Sequence, residues 1–161
     1  MSARNGGRAA AESGGISLEV AVTPEAASVE PKARNIIRRA ILAADDVAGP
    51  VRGVVGVLVE NDAAIRDLNR AWRGVDAPTN VLAFPAPPTP PSRHVGDIAI
   101  SYETAAREAV REAKPFAHHL AHLAVHGFLH LIGYDHQSDA AARKMEALES
   151  SILARLDMPD P

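Results

Sequence analysis

Three histidines near the end of the chain have the spacing of a metal site. His126, His130 and His136 lie in the segment HGFLHLIGYDH. His126 and His130 are four residues apart, so a helix would place both imidazoles on one face, one turn apart. Gly133 can end that helix and turn the chain, so that His136 approaches the same point. Three neutral imidazoles leave a fourth tetrahedral position open, which is typical of a catalytic rather than a structural zinc site.

The residue that follows the first of these histidines restricts the chemistry. The spacing H-x-x-x-H-x-x-G-x-x-H is that of the metzincin proteases, in which a glutamate after the first histidine serves as general base. Here that position is Gly127, which has no side chain to accept a proton. The ligand pattern is therefore kept while the base of a peptidase is missing, and peptide hydrolysis is disfavoured.

Other polar residues near the triad allow two interpretations each. His122 lies one turn before His126 and either orients that ligand from behind or is a buried, hydrogen-bonded histidine. Asp135 is expected to form a hydrogen bond within its turn, and a role as proton acceptor is the less favoured interpretation. The remaining histidines are interpreted as structural or surface residues: His94, His118 and His119.

The composition limits the classes of protein. A chain of 161 residues fits one compact domain. The absence of cysteine excludes disulfides, thiolate zinc sites and a cysteine nucleophile. A formal net charge of −3 argues against indiscriminate coating of nucleic acid, although it permits a local basic face. One stretch carries four cations and no anion: Lys32, Arg34, Arg38 and Arg39.

The pattern of apolar residues predicts an α+β domain. Strands are predicted over Ile16–Val22, Val51–Val59, from Pro78 through Phe84, and over Val95–Ser101. Helices are predicted over Pro31–Ala44, after a cap at Asn61 or Asp62, from Ser101 to Lys114, from Pro115 to Gly133, and from Ser138 or Asp139 to Leu156. This order suggests one small sheet covered by helices.

Segments outside these elements are assigned as tail or loop. Residues 1–15 are expected to form a flexible N-terminal tail, and residues 16–158 a single metal-dependent hydrolase domain. Five prolines in residues 85–92 predict an exposed loop. The longest uncharged stretch, Pro115–Tyr134, is interrupted by five histidines, so it is interpreted as a buried helix and not a membrane span. No secretory signal is visible, and a cytoplasmic location is expected.

Three motifs give the chain a resemblance to the YbeY endoribonuclease family, a group of bacterial proteins of rRNA maturation and ribosome quality control. They are LNRAWRGVDAPTNVLAFP at residues 68–85, GDIAIS at residues 96–101, and HLAVHGFLHLIGYDH at residues 122–136. The resemblance extends in element order over Ile16–Leu156. The family usually has Asp where Asn80 stands, Ser where Ala83 stands and Tyr or a similar residue where Trp72 stands, so no essential ionised role is assigned to Asn80.

The resemblance implies a fold and a site. The fold would be a small, mostly parallel, mixed four-stranded sheet packed with helices, with a zincin-like histidine helix. One Zn²⁺ per chain would be held by His126, His130 and His136, and Arg73 would face the site as a further catalytic residue. An arginine there could meet charge that develops on a phosphate. The cationic stretch Lys32–Arg39 either contacts flanking RNA phosphates or is a solvated helix face.

The resemblance also implies a function. The chain would be a zinc-dependent endoribonuclease specific for single-stranded RNA, acting in rRNA maturation, including processing of the 16S rRNA 3′ end, and in ribosome quality control. Its partners would be immature rRNA and the ribosome or small subunit, with no membrane. The oligomeric state is left open, and a monomer is compatible with the sequence.

Two other functions stay open at this point. One is a ribosome-assembly factor whose metal is mainly structural, because no obvious general base accompanies the histidines. The other is a metzincin-like peptidase that takes its base from elsewhere. The sequence also leaves open whether water or the RNA 2′-OH is the nucleophile, and three histidines do not exclude nickel or iron.

Overall fold

The structure, a computed structural model, describes residues 15–87 and 93–158. Within these ranges it has four strands and six helices. The strands are β1 (Ile16–Val22), β2 (Gly53–Glu60), β3 (Val81–Pro85) and β4 (His94–Ser101). The helices are α1 (Pro24–Val29), α2 (Ala33–Ala48), α3 (Asp62–Arg73), α4 (Tyr102–Arg111), α5 (Phe116–Leu131) and α6 (Asp139–Ala154). Most of the predicted tail and most of the proline-rich loop lie outside the described residues.

The strands form one mixed sheet in the order β1-β2-β4-β3. β1, β2 and β4 are parallel, and β3 joins the far edge antiparallel to β4. The predicted α+β class and the mostly parallel four-stranded sheet are thereby confirmed. Pro85 pairs in register with Gly96, so the last residue of β3 is the first proline of the predicted loop. A proline is tolerated there because β3 is an edge strand.

The main core lies between one face of the sheet and helices α2 and α5. Alternate residues of β2, namely Val55, Val57 and Val59, point into this core, and Ile98 and Ile100 of β4 do the same. The opposite face is covered in part by α3. There Ile65 packs with Leu82 and Ala99 in a second, smaller cluster.

Side-chain caps mark where α3 and α6 begin. Asn61 accepts a hydrogen bond from the backbone N–H of Ala64 at 2.9 Å and so begins α3. Ser138 accepts one from Ala141 and begins α6. These contacts decide between the alternatives that the sequence left open. The residue after Asn61, Asp62, instead accepts hydrogen bonds from Ser101, Thr104 and Arg107 and so ties α3 to α4.

Some element ends differ from the sequence-based expectations. Helix α1 was not predicted, although Thr23 caps it and Pro24 is its first residue. The predicted helix at Pro31–Ala44 begins at Ala33 and continues to Ala48, and α4 ends at Arg111 rather than Lys114. In the part of the chain that the structure describes, no helix is long and apolar enough to cross a membrane.

Helix α5 lies close against the sheet at Gly127. A Cβ added there would lie 2.9 Å from Cγ2 of Ile98 and 3.1 Å from Cγ2 of Val81. The glycine therefore faces β3 and β4, and its missing side chain allows the helix to lie against them. Any larger residue at this position would point into the core.

We expect Gly127→Ala to destabilise the fold by about 1–3 kcal/mol, because overpacking outweighs the better helix propensity of alanine. In an Ile98→Ala background, which lacks the nearest methyl group, the substitution should lower the free energy of unfolding by clearly less. Urea unfolding of the four proteins measures this coupling. An equal loss of unfolding free energy in both backgrounds would contradict the packing explanation.

Candidate metal centre

The three predicted ligands converge at the C-terminal end of α5. One nitrogen from each of His126, His130 and His136 lies within 4.8 Å of the others. Their ring centroids are separated by 4.7 Å (His126–His130), 5.0 Å (His130–His136) and 5.9 Å (His126–His136). Three imidazoles at these separations can hold one divalent ion, with room for a further ligand on the solvent side, where His136 is exposed.

A tight turn brings His136 back to the two helical histidines. The N–H of Tyr134 donates to the carbonyl of Leu129 at 2.9 Å, and Gly133 between them has φ +108. This is the pattern of a helix that ends on a glycine with positive φ. A Cβ at Gly133 would meet no atom of the described residues within 4 Å, so the glycine is required here for its backbone conformation and not for space.

Helix α6 contributes a carboxylate that the sequence analysis missed. Glu149 is 4% exposed, and its Oε2 lies 2.5 Å from Nδ1 of His126. Its Oε1 lies 3.1 Å from Nε2 of His122. His122 is therefore linked to His126 through this carboxylate and is also a partly buried, hydrogen-bonded histidine, so its role in orienting the ligand stays a prediction. A detectable signal existed: Glu149 occupies the same helical stripe as Met145, Ile152 and Leu153, and a buried charge needs partners.

Glu149 is ionised in this environment. Burial by itself raises the pKa of its carboxyl group, but the hydrogen bonds from His122 and His126 outweigh burial and lower the pKa to about 2. An ionised carboxylate accepts only, so Nδ1 of His126 must carry the proton. The lone pair of the neutral ring is then on Nε2, which is left to bind a metal.

His130 is also held in the neutral form. Burial, and then the nearby His126 and His136, lower the pKa of its imidazole. Neutral imidazole is the form that binds metals, so the protein favours the ligating state of His130.

Asp135 forms a hydrogen bond within its turn, as the sequence predicts. Its Oδ1 accepts a hydrogen bond from the N–H of Gln137 at 3.1 Å. The carboxylate therefore helps to shape the chain just before and after His136.

Arg73 is the last residue of α3 and is exposed. The neighbouring arginines of that helix have carboxylate partners: Arg66 binds Asp76 at 2.7 and 3.0 Å, and Arg70 binds Asp67 at 3.0 Å. Among residues 15–87 and 93–158, Arg73 has no hydrogen bond or ion pair. Its guanidinium is therefore available to an anionic ligand, although its role in the site remains a prediction.

The cationic stretch divides into two pairs. Arg34 donates to the carbonyl of Val20 at 2.6 Å, and Arg38 donates to that of Leu18 at 3.4 Å. Both therefore satisfy backbone acceptors of the edge strand β1. Lys32 and Arg39 are exposed, and in the described part of the chain their side chains have no partner. RNA contact by these four residues stays a prediction, and Lys32 and Arg39 are the better candidates.

His119, near the N-terminal end of α5, and Asn80, just before β3, both bind the carboxylate of Glu108. His119 is buried, with Nε2 2.8 Å from Oε1 of Glu108. Asn80 donates its side-chain N–H to the same carboxylate at 3.1 Å. An amide suits this position, because an aspartate would place two carboxylates together.

The chain matches a known protein family over most of its length. The family model described as Endoribonuclease YbeY matches residues 20–157. The chain belongs to this family. A protein named Endoribonuclease YbeY from Bradyrhizobium sp. (strain BTAi1) is 55% identical over 152 residues, which cover 89% of this chain and 90% of that protein. One of the same name from Bradyrhizobium diazoefficiens is 52% identical, with 89% and 83% covered.

A solved structure supports the fold. The solution structure of TM1509 from Thermotoga maritima matches with a TM-score of 0.56 and 23% identity, and covers 87% of this chain and 91% of that one. The family resemblance inferred from three motifs is thus confirmed, and so is the fold. The family was predicted from the three motifs, and the α+β class from the order of elements.

Two glycines with positive φ and open surroundings allow a matched test of the turn. Alanine at Gly133 or at Gly74, where φ is +71, should destabilise the fold by about 1–2 kcal/mol. Only Gly133→Ala should also weaken binding of added Zn²⁺, because only Gly133 positions His136. Chemical unfolding and metal titration separate the two effects. The turn would have no role in ligand placement if both variants bound Zn²⁺ equally.

Proposed function

We propose that this protein is a zinc-dependent endoribonuclease that cleaves single-stranded RNA during rRNA maturation, including the 16S rRNA 3′ end, and that it acts in ribosome quality control. The observation that carries the proposal is the convergence of His126, His130 and His136 in a chain that belongs to the YbeY endoribonuclease family. We further propose a cytoplasmic location and the ribosome or its small subunit as partner, since immature rRNA is found there.

The donor set supports zinc as the metal. Three imidazole nitrogens with an open position suit a catalytic Zn²⁺, and a closed-shell ion suits hydrolysis. When bound, zinc supplies Lewis acidity to a phosphoryl oxygen and lowers the pKa of water. The protein's own contribution is to orient the rings and to favour the neutral form of His130, with Glu149 accepting a hydrogen bond from Nδ1 of His126.

Arg73 is proposed to bind the phosphate at which cleavage occurs. Its guanidinium is always protonated and offers a planar pair of donors. Because Arg66 and Arg70 are bound to carboxylates, Arg73 is the arginine of α3 that can form this contact without first breaking an ion pair. Such a group stabilises negative charge that increases in the transition state.

The packing at Gly127 argues against the peptidase alternative. In metzincins the glutamate at this position is the general base. Here that residue is a glycine, and a Cβ at this position would meet Ile98 and Val81 in the core, so the position supplies no general base. A ribosome-assembly factor with a structural metal is the remaining alternative. It is disfavoured by the exposed side of the site, because structural zinc sites are closed.

The test is cleavage of a single-stranded RNA by the zinc-loaded parent and two variants. His130→Ala should abolish cleavage, and Arg73→Ala should lower its rate by about 10²–10³-fold, as loss of a transition-state donor does. Arg70→Ala removes the same charge one turn away and should retain nearly the parental rate.

Unchanged cleavage in both His130→Ala and Arg73→Ala would exclude the proposed active site. A chelator separates the assembly-factor alternative. If removal of zinc unfolds the protein, as circular dichroism would show, and RNA is never cleaved, the metal is structural. Zinc-dependent cleavage of casein would instead support the peptidase.

A second prediction concerns Glu149. Glu149→Gln keeps the volume of the side chain but removes the charge that both histidines share, so Zn²⁺ affinity should fall about 10–100-fold. Glu108→Gln is the matched control, since Glu108 binds His119, away from the triad. Competition titration with a chromophoric chelator measures the affinity. Equal affinities in both variants would show that Glu149 does not support the ligand.

A further inference from the structure

Trp72 is an unusual surface residue. It is the chain's one tryptophan, and 72% of its surface is exposed. Its ring lies 5.9 Å from that of Phe84, at an interplanar angle of 50°. The neighbouring Val75 is also exposed. Contiguous apolar surface of this kind marks a binding site more often than chance, whereas single exposed apolar residues do not.

The two rings border a pocket in the outer face of the sheet. Its volume is about 600 Å³, and Leu68 and residues 85–87 complete the wall around Trp72 and Phe84. Pockets of this size bind small aromatic ligands. Because Trp72 rests on Phe84 on one side only, much of its indole surface is free to stack on a planar group.

The charges around the pocket indicate how such a group is attached. Arg73 follows Trp72 directly and is available for an anion, as shown above. The pocket is also lined by the acidic Glu19 and Asp97, and Asp97 pairs with Phe84 between β3 and β4. A negatively charged backbone would therefore be attracted to Arg73 and repelled by the carboxylates inside the pocket. An uncharged ring could enter the pocket while its phosphate stays outside.

The pocket and the histidine triad approach the same end of the sheet. Phe84 and Pro85 end strand β3, and Pro85 is paired with Gly96. On the inner face Leu131, which follows His130, lies against Gly96, so close that a Cβ on this glycine would clash with it. Trp72 is thus on one face and the end of the histidine helix on the other, at one edge strand. A nucleic-acid strand that passes over this edge can contact both.

We propose that Trp72 is a stacking platform for an unpaired base of the RNA substrate, with Arg73 binding the adjacent phosphate. The proposal rests on the proposed function, and it explains why unpaired RNA would be preferred. A base in a duplex is already paired with the opposite strand and stacked on the adjacent bases. A base in a single strand can rotate outward and stack on an aromatic ring.

Because Trp72 is the single tryptophan, its fluorescence reports the contact directly. The zinc-loaded protein is titrated with a 2′-O-methyl oligoribonucleotide, which a gel shows to remain intact. A second oligonucleotide of equal length and charge carries abasic positions. We expect the first to quench Trp72 emission and the second to leave it nearly unchanged at the same occupancy.

Variants test whether the contact contributes to affinity. Anisotropy of a labelled oligonucleotide should show about tenfold weaker binding for Trp72→Leu, which is apolar but cannot stack, and near-parental binding for Trp72→Phe. Val110→Ala removes another exposed apolar side chain, 83% exposed on α4, and should have no effect.

The failure of this proposal differs from failure of the proposed function. If RNA binds and is cleaved while Trp72 emission and Trp72→Leu affinity are unchanged, the platform does not exist. The apolar surface would then serve a protein partner instead. If RNA neither binds nor is cleaved, the endoribonuclease proposal itself fails, and the platform with it.

Discussion

The close packing of the histidine helix on the sheet is the constraint from which the rest of the structure follows. Ten of the residues in α5 are buried, so the helix passes through the interior and has apolar neighbours on most sides. At Gly127 it touches β3 and β4 without an intervening side chain. This contact fixes the rotation of the helix about its axis, and with it the positions from which His126 and His130 project. The geometry of the metal site therefore depends on how α5 packs against the sheet.

This position of α5 places ring nitrogens of two histidines in partly buried surroundings, and α6 supplies their hydrogen-bond partner. His122 and His126 lie on a partly buried face, where unpaired ring nitrogens are costly. Glu149 satisfies one nitrogen of each, and in return the two imidazoles stabilise its charge in the interior. Removal of either side of the contact would leave a buried polar group without a partner. Because Met145 and Ile152 anchor α6 on both sides of Glu149, ligand orientation is coupled to packing of the last helix.

The sequence predicted the site residues whose placement depends on one segment of chain. It did not predict those whose contacts depend on how elements distant in sequence pack together. The spacing of His126 and His130, and the glycine that turns the chain towards His136, are properties of one segment, so they could be read directly. Glu149 comes from another helix, and only the position of α6 against α5 brings it to His126. Arg34 and Arg38 were grouped with the exposed cations for the same reason, because their bonds to β1 depend on how α2 lies along the edge strand.

The distribution of charge around α3 connects the fold to RNA binding. The chain is slightly acidic, so it lacks the broad field that draws nucleic acid to a strongly basic protein. On α3 the ion pairs with Asp67 and Asp76 neutralise two arginines and leave Arg73 at the end of the helix. A cation without a partner among the described residues, next to an exposed ring, provides little long-range attraction but a defined local geometry. Affinity would then depend on an unpaired base being present, and less on phosphate density, which is a physical basis for discrimination between single strands and duplexes.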